Sequence, residues 1–73
     1  MTKEAIDIVL VLYNIKDEII KQKSIAKDLK LLFSTDLKDV EQTYFQNGKL
    51  AAYDLVLTMI DKKIEQLKGE SNG

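Results

Sequence analysis

The sequence predicts an all-α protein built as a helical hairpin of two long helices. Three observations predict it. The 73 residues include no proline and only three glycines, Gly48, Gly69 and Gly73, so few positions break a helix. Apolar residues recur at alternating three- and four-residue steps, the period of one helix packed on another. Near the middle, Ser34-Thr35-Asp36 places three N-cap-type residues in a row, a stop followed by a fresh start.

In the first half, Ala5, Ile8, Leu12, Ile15, Ile19, Gln22, Ala26, Leu29 and Phe33 follow that period, and eight of the nine are apolar. They predict a seam through one long helix. Gln-Lys-Ser at 22–24 offers a break or bend with Ser24 as a new cap, but the phase of the seam carries through and favours a single helix. Asp36, just before Leu37 with Asp39 in the first turn, is the expected cap of the second helix. Beyond it Leu37, Val40, Tyr44, Gly48, Ala52, Leu55 and Met59 form one stripe. Leu50, Tyr53, Leu57, Ile60, Ile64 and Leu67 form another. Asn47-Gly48 reads either as a break at 47–48 or as a glycine at a close helix crossing. Residues 1–68 form a single domain, and Gly69 stops the helix before a tail at 69–73. Folding at the central turn brings Ile19 near Ala51 and Ile15 near Leu55.

The apolar surface exceeds what one hairpin hides. From Ala5 to Ile20, 11 of 16 residues are apolar, and from Leu50 to Ile60, 9 of 11. A hairpin covers roughly a 100° stripe of each helix. The expectation is a homodimer, two hairpins forming a four-helix bundle. Its interface is assigned to Ile8, Leu12, Ile15 and Ile19 of the first helix and Tyr53, Leu57 and Ile60 of the second. The alternative is a three-helix monomer, with Ile25–Phe33 or Leu37–Phe45 folded back.

Composition narrows the chemistry. With no Cys there is no disulfide framework or thiolate nucleophile. Without His, the common zinc ligand and the imidazole base are missing. All 11 basic residues are lysine, so the guanidinium fork that clamps phosphates and reads guanine is absent. No catalytic residue, metal ligand or cofactor site is predicted. The net charge is −1 and the pI about 5.3, without the basic excess of a DNA-backbone binder. The longest apolar run, Ile8 to Tyr13, is far short of the roughly 20 residues of a membrane span. No signal-peptide pattern is present, and the expected location is cytoplasmic.

Several groups invite a functional reading. Glu4 with Asp7, Asp36 with Asp39, and Asp61 with Glu65 are acidic pairs at helical spacing, yet they fit helix-start charges or a solvated face as well as a cation site. Lys21, Lys23, Lys27 and Lys30 form the only basic cluster, the basis for an alternative role as an accessory nucleic-acid binder. Ser-Ile-Ala-Lys-Asp-Leu at 24–29 resembles the first helix of a helix-turn-helix domain, but no turn glycine follows Leu29 and no basic recognition helix comes after it. Gln22 in the seam either fixes the register of pairing or marks a bend. Phe45 lies off the Leu37–Val40–Tyr44 stripe, either as an exposed anchor for a partner or packed in the dimer.

Tyr44-Phe45-x-x-Gly48-Lys49-x-x-Ala52, followed by Val56-Leu57 and Ile60, resembles a pattern in short helical accessory proteins encoded by phages and prophages of low-GC Gram-positive bacteria. The resemblance spans about 20 residues of the second half; the N-terminal half carries none. It implies a non-enzymatic protein that binds a host or phage protein, and it transfers no catalytic residue. The residues themselves point the same way: an adaptor, regulator or inhibitor that contacts a partner protein through a helical surface. The contact surface is placed at the hairpin tip, with Lys27, Lys30, Phe33, Lys38, Phe45 and Asn47.

Overall fold

The structure is a computed structural model that describes residues 2–72, and the side chains of residues 2–69. Two long helices lie antiparallel, α1 over Lys3–Leu31 and α2 over Val40–Asn72. One wide π-type turn, Leu32–Asp36, follows α1. The all-α hairpin read from the periodicity is what forms.

α1 starts on a cap. Thr2 is extended, and its hydroxyl accepts a 3.1 Å hydrogen bond from the Ala5 N–H, satisfying one of the donors a helix start leaves open. Glu4 in the first turn and Lys30 in the last match the helix dipole. Neither helix breaks where a break was considered: α1 is continuous through 22–24 and α2 through 47–48. Gly48 is not a close crossing either, since a Cβ there would meet nothing within 4 Å. Gly69 does not stop α2, which continues to Asn72; of the expected tail, Gly73 lies outside the described residues.

The reversal differs from the one read at Ser34–Asp36. The Ser34 and Thr35 hydroxyls donate to the Leu31 carbonyl at 3.2 and 2.6 Å. They close the old helix instead of capping a new one, a competition open to any Ser or Thr within a turn of a free carbonyl. The Leu37 N–H then reaches the Leu32 carbonyl at 3.0 Å, and the Asp39 N–H the Phe33 carbonyl at 2.7 Å. Lys38 takes the left-handed conformation, φ 51°, and redirects the chain. The cap of α2 is therefore Asp39, not Asp36: its carboxylate accepts a 3.1 Å bond from the Gln42 N–H.

That shift moves the register. Two ion pairs cross the hairpin, Lys16 to Asp61 at 2.8 Å and Lys23 to Asp54 at 2.5 Å. Seven residues forward on α1 answer seven back on α2, so both report one alignment. It centres the reversal on Lys38 and sets Ile19 level with Leu57, about six residues beyond the expected Ala51. A turn displaced by three residues displaces the pairing by twice as many.

The inward face of α2 is the predicted second stripe, extended upstream by Thr43 and Gln46. Tyr44, Leu55 and Met59 of the other stripe face outward. On α1 the seam runs one residue away from the predicted one. Ala5, Leu12, Ile19, Ala26 and Phe33 face α2 as expected, but Val9, Lys16, Lys23 and Lys30 alternate with them. Ile8, Ile15 and Gln22 are exposed, and Leu29 is half-buried. The reason is the lysines. Their aliphatic stems cover seam surface while the ammonium groups leave at its edge, and those of Lys16 and Lys23 meet Asp61 and Asp54 there. The core is Val9, Ile60 and Ile64, with Leu12, Ile19 and Leu67 packed on it, all toward the open end of the hairpin.

The molecule measures 53 × 15 × 11 Å between Cα extremes, with a radius of gyration of 16.5 Å. A compact domain of this length would have about 11 Å.

Candidate interaction surface

A two-helix hairpin has two edges, and here they differ. Residues that follow the seam by one, Tyr13, Ile20 and Lys27 on α1 and Asn47, Asp54, Asp61 and Lys68 on α2, line the first edge. The ion pairs lie there, and so does Lys68, whose ammonium group donates to the Tyr13 hydroxyl at 2.9 Å and lies 5.4 Å from that ring's centre. The bond to Asp61 raises the Lys16 pKa above the usual lysine value of 10.5, with partial burial opposing it. A shallow open depression on this edge is lined by Ile20, Lys23, Ser24, Lys27 and Leu57.

Residues that precede the seam by one, Ile8, Ile15, Gln22 and Leu29 on α1 and Lys49, Val56 and Lys63 on α2, line the second edge. Behind them, by helical spacing, come Val11, Ile25 and Leu32 on α1 and Phe45, Ala52 and Met59 on α2. No ion pair crosses the hairpin here among the described residues. Ile8, Val11, Ile15, Ile25, Val56 and Met59 are all exposed.

The sequence-predicted tip residues do not converge on one patch. Lys30 and Phe33 are half-buried in the seam. Lys27 and Asn47 lie on the ion-paired edge, and Phe45 on the apolar one. Lys38 is exposed at the reversal itself. Phe45 remains the largest exposed ring of the six at 59%, with the Lys49 ammonium 5.5 Å from its centre. Of the residues assigned to pairing between copies, Leu12, Ile19, Tyr53, Leu57 and Ile60 face the other helix of the same chain, and only Ile8 and Ile15 are exposed.

The lysine cluster is dispersed as well. Lys21 pairs with Glu18 at 3.4 Å, Lys23 with Asp54, and Lys30 enters the seam; Lys27 is exposed on the ion-paired edge. Among the acidic pairs, Asp39 caps α2 and Asp61 holds Lys16. No group of three acidic side chains that could hold a metal ion occurs among the described residues. No described helix is long and apolar enough to cross a membrane.

Sequence reasoning missed the ion-paired edge, for which the only signal was the seven-residue repeat of Lys16 and Lys23 against Asp54 and Asp61. No protein-family model, curated protein or solved structure matches this chain.

Proposed function

We propose that this chain works without chemistry of its own, as a cytoplasmic helical interaction module that pairs with a second copy as a four-helix bundle and holds a partner protein. One observation carries the reading. Among the described residues seventeen large apolar side chains are exposed, whereas the buried apolar core is Val9, Ala26, Ile60 and Ile64. Exposed apolar surface on that scale marks an interaction site. The area agrees: the chain exposes 5429 Å², where a compact monomer of 8.3 kDa exposes about 4,600 Å². The difference, about 800 Å², is one partner's share of a standard interface.

The partner protein contacts the tip, with Phe45 as its anchor and Lys38 and Asn47 beside the reversal. The resemblance of residues 44–60 to phage and prophage accessory proteins fits a partner of host or phage origin. Its mechanism is occlusion or bridging by a helical surface, as an adaptor, regulator or inhibitor.

Multi-angle light scattering tests the first half. The expected mass is about twice the 8.3 kDa of the chain at micromolar concentration, and a monomer there overturns self-association. Affinity capture from the native host, run in parallel with Phe45→Ser, tests the second half. A protein retained by the native chain and lost from the variant supports the tip as the contact. Equal retention by both removes Phe45 from it.

A further inference from the structure

The apolar edge has an internal symmetry that specifies how a second copy sits on it. Along α1 its outer rows read Ile8, Val11, Ile15, then Glu18 and Gln22, then Ile25, Leu29, Leu32. Three apolar residues, two polar ones and three apolar ones are placed evenly about position 20. A two-fold axis demands such a pattern of an antiparallel contact, because each residue must suit the one at its mirror position. The register of the ion pairs sets residue 20 level with position 56 or 57 of α2. Val56 is there, Ala52 and Met59 flank it, and Lys49 and Lys63 stand seven residues to either side.

Resting on the self-association proposed above, we infer that the second copy of this chain packs antiparallel on the apolar edge, α1 against α1 and α2 against α2, about a two-fold axis at the level of Ile20 and Val56. Ile8 of one chain then lies opposite Leu32 of the other, Val11 opposite Leu29, and Ile15 opposite Ile25. Glu18 meets Gln22, so neither carboxylate faces its own copy. Lys49 and Lys63 meet at the rim, where their stems splay into water.

The parallel alternative, with both tips at one end, fits worse. It sets α1 on α2 of the other chain, and the same register then presses Lys63 onto Val11 and Ile15, and Lys49 onto Ile25 and Leu29. Each would set an unpaired ammonium group against apolar surface. The ion-paired edge is also the poorer docking surface. Its Asp54, Asp61, Lys16 and Lys23 are already committed within the chain, and a covering copy would have to desolvate them. The antiparallel dimer places the two tips at opposite ends, so the pair is bivalent, with Lys38 of each chain at its own end and Phe45, eleven residues from the axis at Val56, at the margin of the contact.

The chain has no cysteine, so a single nitroxide can be placed at Glu41→Cys, an exposed position in the first turn of α2. Glu41 lies fifteen residues from the axis at Val56. Pulsed dipolar spectroscopy is expected to give a separation of about 45 Å between the two labels at 1.5 Å per residue. In parallel, Ile15→Glu is expected to yield a monomer by light scattering, while Ile20→Glu on the other edge stays dimeric. A dimeric mass with a label separation under about 25 Å, the width of a parallel bundle, overturns the antiparallel arrangement and leaves self-association standing. A dimeric Ile15→Glu overturns the choice of edge. A monomeric native chain with no dipolar signal overturns self-association itself.

Discussion

The open end of the hairpin and its tip are held together by different means. At the open end Val9, Ile60 and Ile64 are buried and Leu12, Ile19 and Leu67 pack on them. Toward the tip the seam narrows to Ala26, 1% exposed, and then to Lys30, Phe33, Thr43, Gln46 and Leu50. Gln46 is buried there, and its Oε1 has no hydrogen-bond partner. Apolar burial is worth about 25 cal/mol per Å², whereas a buried acceptor without a partner costs about 1–3 kcal/mol. The helices are thus clamped at the end where the chain begins and finishes. Where it reverses, fewer apolar side chains hold them and one buried acceptor has no partner, which lowers the cost of opening the tip locally.

The sharpest way to break this comparison is to remove apolar bulk from the clamp. Ile64→Ala is expected to cost about 3 kcal/mol, enough to abolish a cooperative thermal transition in a domain this small. Leu50→Ala, half-buried near the tip, should cost about half as much. Equal losses by circular dichroism would show that the two ends are held alike. The defect at the tip should be repairable: Gln46→Leu removes the orphaned acceptor and is expected to raise stability by about 1 kcal/mol. A loss there would mean that Gln46 makes a stabilising contact through its amide nitrogen. Asp39→Ala tests the cap at the tip and should cost about 1 kcal/mol, whereas Asp36→Ala should cost little. Gly48→Ala should add somewhat under 1 kcal/mol, because its Cβ enters open space on a helical backbone.

The smallest effect is on the ion-paired edge. Because the folded Lys16 pKa lies above its ordinary 10.5, its contribution to stability is complete below about pH 10.5 and fades as pH rises through the folded value. A urea midpoint followed from pH 9 upward should fall more steeply for the native chain than for Lys16→Met.

Much of this was legible in the chain. The helices follow from the period and the lack of proline; the stripe Leu50, Tyr53, Leu57, Ile60, Ile64 and Leu67 was read from its spacing, but a second stripe was read beside it, and Tyr53, Leu57 and Ile60 were assigned to a contact between copies. The tip site was legible only in part. Phe45 was singled out and is exposed, but Lys30 was assigned to the surface and belongs to the seam, and Phe33, read both in the seam and at the contact surface, lies in the seam. A one-helix pattern does not say which edge of a hairpin a residue reaches.

The sequence by itself determined two long helices, a reversal between them, an excess of apolar surface and the absence of thiol, imidazole and guanidinium groups. These follow from local conformational preference and composition, which need no partner surface. Only the tertiary structure decided which side of α1 faces inward. Ile8 and Val9 are both apolar, and Ala5, Leu12, Ile19, Ala26 and Phe33 belong to either seam, so periodicity alone allows two seams. The choice went to the one in which Lys16 and Lys23 reach Asp61 and Asp54 across the gap. That register was set in turn by Ser34 and Thr35 bonding back to Leu31, which delayed the reversal to Lys38.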